Sequence, residues 1–406
     1  MWEQIRVNKR NSLILLAVMA AVLVGLGFVI GVAVGGREGG LGGAAIAVVV
    51  WLVLLVVSFA GGDQLLLASS RAVPVTHDVH PQLFNVVEEV SIAAGLKKPP
   101  NIYIINDPAP NAFATGRGPQ SSSVAVTAGL LTMLNRDELQ GVMAHEVSHI
   151  VHRDILFVTL AGVMLGTIVL LSEVFMRGMF RASMYGGRRY SSRSRNNNGA
   201  QLVLIVIAIL AAILAPIFAQ ILYFALSRRR EYLADAGAVR LTRYPDGLAG
   251  ALEKISRYDG SVEAANKVTA PMYITNPFRG GAASMFSTHP PVEERIRVLR
   301  NMSHGASWRD YDAAWRQTTG RRSIIPQSAL KDAEEVGLRE AGAAVAAPAA
   351  GRPAQAHQLG DLMRTVNGFA FLACPCGVKL KVPPNYKGRQ VGCPRCGRTL
   401  DVAKEG

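Results

Sequence analysis

The stretch Ala144-His145-Glu146-Val147-Ser148-His149 places two imidazoles four residues apart, with a carboxylate directly after the first. Positions i and i+4 of a helix lie on one face, one turn apart. Two such histidines can bind one Zn²⁺ together, and the intervening glutamate can reach a water on that ion. The alternative is a polar helix face with two hydrogen-bonded histidines. Apolar neighbours (Val142, Met143, Val147, Ile150 and Val151) favour the metal, so the spacing predicts the zinc site of a metalloprotease.

A catalytic zinc usually takes three protein ligands and keeps one position for water, so the chain must supply a third ligand. The segment Arg230-Glu231-Tyr232-Leu233-Ala234-Asp235 carries two carboxylates at positions i and i+4. We expect Glu231 to bind the zinc. We expect Asp235 to accept a hydrogen bond from the far nitrogen of a ligand histidine and so to fix its tautomer. The alternative is a solvated acidic face that is balanced by the arginines at 228–230.

The composition indicates a membrane protein of two or three domains. Half of the 406 residues are hydrophobic and the mean hydropathy is +0.24, which is too apolar for an ordinary soluble domain. The formal net charge of +14 favours an anionic membrane surface as a partner. Nucleic acid is disfavoured, because no nucleic-acid motif accompanies the charge. All four cysteines lie at or after Cys374, so no disulfide framework holds the main body, which fits a reducing compartment.

Four apolar runs divide the chain. The runs 13–36 and 39–62 carry no charge and suit membrane spans of about 20 residues, with a cleaved signal peptide as the disfavoured alternative for the first. Basic residues before the first run place the N-terminus in the cytoplasm. The runs 155–172 and 201–226 either both cross or form a re-entrant or interfacial hairpin. The positive-inside rule does not decide between these two arrangements. If both runs cross, the six arginines that separate them lie outside the cell, against the rule. His149 and Glu231 can meet only if the number of crossings between them is even.

The C-terminal region predicts a second zinc site. Cys374-Pro375-Cys376-Gly377 and Cys393-Pro394-Arg395-Cys396-Gly397 are paired cysteine knuckles, typical of a zinc ribbon in which four thiolates hold a structural ion. A redox cysteine pair is the alternative. Alternating residues predict short strands over 378–382 and 399–402. Upstream, 328–341 predicts a polar helix and 343–358 a linker. Capture of protein is favoured over contact with nucleic acid as the role of the ribbon.

The two helical motifs, together with Phe286-Ser287-Thr288-His289-Pro290-Pro291, resemble the HtpX-type membrane zinc proteases. These are gluzincins related to the CAAX prenyl endopeptidases, and the resemblance covers residues 1–300. It implies that His145, His149 and Glu231 are the zinc ligands, that Glu146 is the general base and that Asp235 is the supporting carboxylate. It also implies a cytoplasmic catalytic domain that degrades damaged or misassembled membrane proteins.

The same resemblance assigns two further roles. His289 matches a family histidine that steadies the oxyanion, and the alternative is a turn residue before two prolines. A short segment looks like the edge strand that pairs with an extended substrate, and the alternative is an ordinary strand after the turn at 108–110. The residues of this segment are Asn111, Ala112, Phe113 and Ala114.

The sequence therefore predicts an α+β protein with a multi-span helical membrane anchor, a mainly helical zincin catalytic domain carrying a small sheet, and a small β zinc ribbon. The expected divisions are 1–70 (two transmembrane helices), 71–154 (first catalytic part), 155–226 (apolar hairpin), 227–325 (second catalytic part), 326–365 (helix and linker) and 366–406 (ribbon).

The function expected from this architecture is a zinc endopeptidase of the inner (plasma) membrane, with both termini cytoplasmic. It would hold one catalytic and one structural Zn²⁺ and would act on polypeptide substrates at the lipid bilayer. A membrane-anchored zinc-ribbon adaptor with an inactive protease domain is the main alternative, and the intact Glu146 argues against it. A prenyl-protein protease is a weaker alternative, because four apolar runs are few for that branch.

Overall fold

The computed structural model describes residues 2–185, 198–265, 269–277, 290–302, 304–331, 333–340, 352–386 and 388–402. Its helices are α1 (Trp2–Ser69), α2 (Pro81–Ala93), α3 (Ala128–Met133), α4 (Arg136–Val151), α5 (Ile155–Tyr185), α6 (Asn198–Thr242), α7 (Pro245–Arg257), α8 (Val292–Arg300), α9 (Trp308–Thr319), α10 (Gln327–Lys331) and α11 (Arg352–Val366). Its strands are β1 (Ala72–Pro74), β2 (Asn101–Ile105), β3 (Ala112–Gly118), β4 (Ser121–Thr127), β5 (Ala370–Ala373), β6 (Lys379–Val382), β7 (Gln390–Gly392) and β8 (Thr399–Asp401).

The N-terminal helix α1 is a hairpin, because its backbone leaves helical geometry at Gly35 and Gly36. Gly36 has a φ of 68°, in the left-handed region that glycine adopts without strain. The two arms then meet through glycines. A Cβ on Gly31 would lie 2.2 Å from the carbonyl oxygen of Gly39, so only glycine allows this approach. Small residues bring membrane helices together in this way.

Three helical stretches in the described part of the chain are long and apolar enough to cross a membrane. They are Leu13–Gly36 and Glu38–Val57, both in α1, and Val203–Ile221 in α6. Helix α5 packs against both α1 and α6 in a shared apolar core to which all three helices contribute. The buried side chains of this core include Leu23 from α1, Ile168 from α5 and Ala212 from α6.

A four-stranded sheet supports the catalytic region in the order β1-β2-β4-β3. The strands β2 and β4 pair in parallel, and the other two pairs are antiparallel. The core side chains of β2 and β4 pack with those of α2 and α4, which puts the histidine helix on the sheet. Among the strands that the structure describes, β3 pairs with β4 alone, so it is an edge of this sheet.

Helix α6 is continuous from the apolar stretch Val203–Ile221 to Thr242, so the expected boundary at 226/227 falls inside one helix. Its C-terminal part packs on α4. The contact is close because Gly237 has no side chain: a Cβ there would lie 2.6 Å from the Oγ of Ser148. Gly237, on the same helix as the apolar stretch Val203–Ile221, is thereby brought against the histidine motif.

Two segments before the ribbon differ from the sequence-based expectation. The helix predicted over 328–341 ends at Lys331 as α10, and residues 333–340 have no regular secondary structure. Their backbone is bonded to the catalytic domain instead: the carbonyl of Val336 accepts from Ala306, and the N–H of Arg339 donates to Arg243. The predicted linker over 343–358 contains the start of α11, which packs apolar side chains on the catalytic core (Leu359, Leu362, Met363 and Val366).

The C-terminal residues form two small hairpins, β5 with β6 and β7 with β8. Each hairpin carries one cysteine knuckle in its turn. Gly377 and Gly397 follow the knuckles with φ values of 86° and 72°, a left-handed turn that favours glycine. The hairpins contribute few buried side chains of their own, so this module is too small to be held by a hydrophobic core alone.

Candidate active site

The histidine motif lies on α4, and the N-terminus of this helix is fixed by a capping box. The side chain of Asn135 accepts from the N–H of Glu138, and the Glu138 carboxylate accepts from the N–H of Asn135. The helix places His145 and His149 one turn apart, and their Nε2 atoms lie 3.2 Å from each other. His145 is fully buried and His149 is nearly so. Both imidazoles therefore face one small enclosed volume.

Glu231 of α6 completes a donor triad with these histidines. One of its carboxylate oxygens lies 3.5 Å from Nε2 of His145 and the other lies 3.6 Å from Nε2 of His149. One ligand atom from each of the three residues can be chosen so that all lie within 4.8 Å of one another. A tetrahedral Zn²⁺ with ligands at about 2.0–2.2 Å holds them about 3.4 Å apart, so the triad fits zinc in both chemistry and spacing.

Two carboxylates orient the histidines. The Nδ1–H of His145 donates to Asp235 over 2.9 Å, and the Nδ1–H of His149 donates to Asp154 over 3.0 Å. With Nδ1 protonated, each imidazole presents the lone pair of Nε2 to a metal. Asp235 is the carboxylate that the sequence analysis expected beside a ligand histidine. Asp154 lies beyond the end of α4 and has no place in the motif, so the sequence did not single it out.

A fully buried arginine, Arg295 of α8, joins this network and was missed by sequence reasoning. Its guanidinium donates to both oxygens of Asp235 at 2.7 and 2.8 Å, and to the carbonyl of Ile274 at 2.8 Å. It also lies 3.5 Å from Glu231. Burial acts to raise the pKa of Asp235, but the charge of Arg295 and the bond from His145 outweigh burial and hold that pKa below its ordinary value.

Glu146 is buried beside the donor triad, with 1% of its surface exposed. Neither of its carboxylate oxygens has a hydrogen-bond partner among the described residues. Burial raises the pKa of Glu146 above its ordinary value, while the charges of His145 and His149 act against this rise. A buried carboxylate with free lone pairs next to a metal site is suited to accept a proton from water.

The expected substrate strand, residues 111–114, lies at the sheet edge formed by β3, near the donor triad. Its four residues are buried. The carbonyl of Ala112 accepts from the N–H of Ile274 over 2.9 Å, and Asn111 donates from its side-chain amide to the carbonyl of Thr275 over 3.1 Å. Part of this edge is therefore paired with the segment that precedes α8. The other expected site residue, His289, lies outside the described residues.

The four cysteines form a second group that can hold a metal. Their Sγ atoms lie within 4.8 Å of one another, and none is in a disulfide. The Cys374–Cys396 and Cys376–Cys393 pairs are each 3.5 Å apart. A tetrahedral zinc with Zn–S bonds of about 2.3 Å separates its thiolates by about 3.8 Å, close to the observed spacing. The cluster fits a structural zinc that joins the two hairpins.

Comparison with known proteins agrees with this site. The sequence profile of peptidase family M48 matches residues 77–303, which contain the donor triad. A protein named "Protease HtpX homolog" from Dictyoglomus thermophilum is 44% identical over 311 residues, 77% of this chain and 97% of that protein. Proteins of the same name from Thermoanaerobacter pseudethanolicus and Ligilactobacillus salivarius are 46% and 41% identical, covering 61% and 74% of this chain and 80% and 100% of their own. No solved structure gives a significant match.

The peptidases of family M48 depend on zinc, and two imidazoles with a carboxylate are the donors that a catalytic zinc requires. The family match begins before β2 and ends after α8, so it spans every element that contributes to the triad and its supporting residues. The chain belongs to peptidase family M48 and is an HtpX-type metalloprotease.

Proposed function

We propose that this membrane zinc endopeptidase cleaves misfolded or damaged membrane proteins. The observation that carries the proposal is the continuity of α6, which contains both the apolar stretch Val203–Ile221 and the donor residue Glu231. A site built partly on a membrane helix stays at the bilayer surface. Such a site meets the exposed segments of membrane proteins more often than it meets soluble chains.

The chemistry proposed for the site is hydrolysis of a peptide bond. His145, His149 and Glu231 hold the zinc, while Asp235 and Asp154 keep the two imidazoles in the tautomer that binds it. The ion, when bound, would polarise the scissile carbonyl and lower the pKa of the attacking water to about 7. Glu146 takes the proton of this water and passes it to the leaving amine. His289 is proposed to steady the oxyanion.

The proposed topology places the catalytic domain and both termini in the cytoplasm. Basic residues precede the first apolar stretch, and Arg228, Arg229 and Arg230 follow the one in α6. His149 and Glu231 share one site, so α5 must cross the bilayer if α6 does. An impermeant thiol reagent should then label Arg181→Cys at the end of α5 in intact cells, and should label the ribbon cysteines only after permeabilisation in the presence of a zinc chelator. Labelling of both before permeabilisation would contradict this topology.

The ribbon is proposed to hold a structural zinc through Cys374, Cys376, Cys393 and Cys396 and to contact protein partners. Support comes from the spacing of the four thiols and from α11, which fixes the ribbon to the catalytic core. The family match ends at residue 303, so the ribbon is an addition to the part of the chain that the family profile covers.

The test is digestion of a misfolded membrane protein that is reconstituted with the full chain in liposomes. Wild type should cleave it, a zinc chelator should abolish cleavage, and added zinc should restore it. Glu146→Gln should retain its zinc and cut at least 100-fold more slowly, because only the proton acceptor is lost. Cleavage by Glu146→Gln at the wild-type rate would refute the role of this residue. Cleavage of unfolded soluble protein together with none of the membrane protein would refute the proposed substrate class.

A further inference from the structure

Residues 333–340 form an irregular segment, here called the tether, that lies against the catalytic domain but outside the family match, which ends at residue 303. The carbonyl of Val336 accepts from the N–H of Ala306 over 2.7 Å, and the side chains of Ala333 and Val336 pack on the catalytic core. The tether is therefore a fixed part of the catalytic domain, although it is an addition to the region that the family profile covers.

Arg339 of the tether bonds to both helices that carry the donor triad. Its Nε donates to the carbonyl of Thr242, the last residue of α6, over 3.0 Å. Its Nη2 donates to the carboxylate of Asp137 over 2.7 Å and to the side-chain oxygen of Gln140 over 2.8 Å, and both of these residues lie on α4. A guanidinium offers five N–H donors in a rigid fork, so one arginine can bridge two helices.

The same bonds close the end of α6. The last carbonyls of a helix have no partner within the helix. Here the carbonyls of Thr242 and Arg243 accept from the Nε and the backbone N–H of Arg339. In the opposite direction, the Nε of Arg243 donates to the carbonyl of Gly337 over 2.8 Å, and the guanidinium of Arg339 lies 5.0 Å from the ring centroid of Tyr244. The tether and the end of α6 therefore hold each other in place.

Helices α4 and α6 run antiparallel, and Arg339 joins them away from the triad. Along α6, Glu231 lies beside His149 and Asp235 lies beside His145, so the two chains point in opposite directions. Arg339 forms the next link, at the end of α6. The seven residues from Asp235 to this end span about 10 Å at 1.5 Å per residue. Arg339 thus fixes the two helices relative to each other at a point that is separate from the zinc donors.

The register of these helices matters because the triad is divided between them. Helix α4 lies on the four-stranded sheet, whereas α6 continues into the apolar core that it forms with α1 and α5. A metal site needs its ligands held to within about 0.5 Å. A slide of α6 along α4 would move Glu231 relative to both histidines. Bonds that bridge the two helices oppose this slide.

We propose that Arg339 is a positioning residue of the zinc site. It holds α4 and α6 in the register at which His145, His149 and Glu231 bind a single ion. Arg339 contacts neither the zinc donors nor the substrate and acts only through the two helices. The inference rests on the zinc ligands of the proposed function and adds a residue that lies outside both the motifs and the family match.

The test is the zinc affinity of the catalytic site in the full chain with Cys393→Ser, measured in detergent with buffered free zinc below the unfolding temperature. In this background, Arg339→Gln should raise the Kd for zinc by about tenfold, the lower end of the range for residues that support metal ligands from outside. Its peptidase activity on an unfolded soluble protein should fall at low free zinc and recover as free zinc is raised. A merely structural role would lower the thermal stability and leave the Kd of the folded protein unchanged.

The matched control is Arg309→Gln in the same background. Arg309 donates to the carbonyls of Leu330 and Lys331 over 2.6 and 2.8 Å, so it also anchors the chain after residue 303, but these bonds reach neither α4 nor α6. We expect this variant to lose thermal stability and to keep the parent Kd for zinc. An equal rise of the Kd in both variants would overturn the specific role of Arg339.

A conservative variant separates the bridge from the charge. Arg339→Lys keeps a positive charge near Asp137, but an ammonium lacks the rigid fork that reaches α4 and α6 together, so its Kd for zinc should also exceed that of the parent. The parent Kd in Arg339→Lys would overturn the bridging role. The parent Kd in Arg339→Gln would overturn the whole inference and leave the triad intact, whereas a parent protein that binds no zinc would refute the proposed ligands as well.

Discussion

Arg295 supplies the buried positive charge that balances the carboxylates around the triad. It has no exposed surface and it neutralises Asp235, which in turn orients His145. Arg295→Met removes the guanidinium and leaves the carboxylate of Asp235 buried without this ion-pair partner. The loss of one partner of a buried ion pair costs about 3–5 kcal/mol. We therefore expect a lower unfolding temperature in detergent and less bound zinc per chain.

A double variant separates the lost charge from the lost packing. In Arg295→Met with Asp235→Asn, the unpaired charge at position 235 is removed as well, so part of the lost stability should return. The asparagine oxygen can still accept from His145, so zinc content should also recover in part. Unchanged thermal stability and zinc content in the single variant would contradict the positioning role of Arg295.

His152 gives the protein a pH dependence that can be measured apart from catalysis. It is buried after the last turn of α4, beside Trp308, and burial lowers its pKa to about 4 in spite of the nearby Asp154. The unfolded chain has the ordinary histidine value of about 6.5. The share of the unfolding free energy that depends on a neutral His152 is therefore fully present above pH 6.5. It is lost as the pH falls towards 4, and the loss amounts to about 3 kcal/mol.

The variant His152→Gln isolates this effect, since glutamine does not titrate. The free energy of unfolding of wild type should fall more steeply than that of the variant between pH 6.5 and pH 4, and the two slopes should agree above pH 7. His145, His149 and Asp154 titrate in both proteins, so their contributions to the pH dependence cancel when the two slopes are compared. Equal slopes throughout would show that His152 is not kept neutral by burial.

At the scale of single residues, sequence reasoning could propose site residues only where their spacing is local. The histidines at i and i+4 and the carboxylates Glu231 and Asp235 can each be found on one turn of one helix. Arg295 could not be found, because it lies 60 residues from Asp235 and its helix shows only ordinary amphipathic charge. Asp154 lies after the end of α4 and follows Arg153, which has a positive φ. Helical periodicity therefore does not predict that its carboxylate contacts His149.

The hairpin of α1 makes a prediction at the level of one element. The two arms touch at Gly31, where a Cβ would lie 2.2 Å from a backbone oxygen. Gly25 lies in the same apolar stretch with nothing within 4 Å of a Cβ. Gly31→Ala should separate the arms and lower the unfolding temperature in detergent, whereas Gly25→Ala should leave it unchanged or raise it, because alanine favours a helix by about 1 kcal/mol. Equal effects of the two substitutions would contradict the close approach.

Helices and strands were predicted well where amphipathic or apolar patterns are strong. They were predicted poorly where backbone hydrogen bonds to distant residues replace those within the segment. The apolar runs and the α4 and α6 motifs are helical, and the predicted ribbon strands appear within a residue or two as β6 and β8. Residues 333–340 have a helical composition, but their backbone bonds to Arg243 and Ala306 instead of to itself. The start of α11 was assigned to a linker because its alanines and proline resemble one.

At the scale of the whole molecule, the described residues contain two groups that fit zinc, and the two should be separable. Wild type should bind two zinc ions per chain. Cys393→Ser should lower this to one, because a three-thiolate site binds zinc more weakly, and it should expose β5–β8 to proteolysis, since metal replaces a hydrophobic core in so small a module. Activity on an unfolded soluble protein should remain. Two ions per chain in this variant, with an intact ribbon, would contradict the four-cysteine site.

The architecture links the zinc donors to apolar helical stretches through short or unbroken connections. His149 lies just before α5, and Glu231 lies on α6 beyond its apolar stretch. The sequence predicted that these residues must meet after an even number of crossings. It could not predict that α6 has no break between membrane and site, because a run of arginines at 228–230 resembles a boundary. That continuity fixes the distance between Glu231 and the apolar stretch Val203–Ile221.

The most direct test of the account is the zinc content of the triad variants in a Cys393→Ser background, which leaves only the catalytic ion to be counted. Glu146→Gln should retain one zinc per chain and lose proteolysis, because Glu146 is a base and not a ligand. Glu231→Ala should lose both, because two imidazoles alone hold zinc weakly. One zinc per chain in Glu231→Ala would contradict the claim that the histidines of α4 and the carboxylate of α6 bind a single ion.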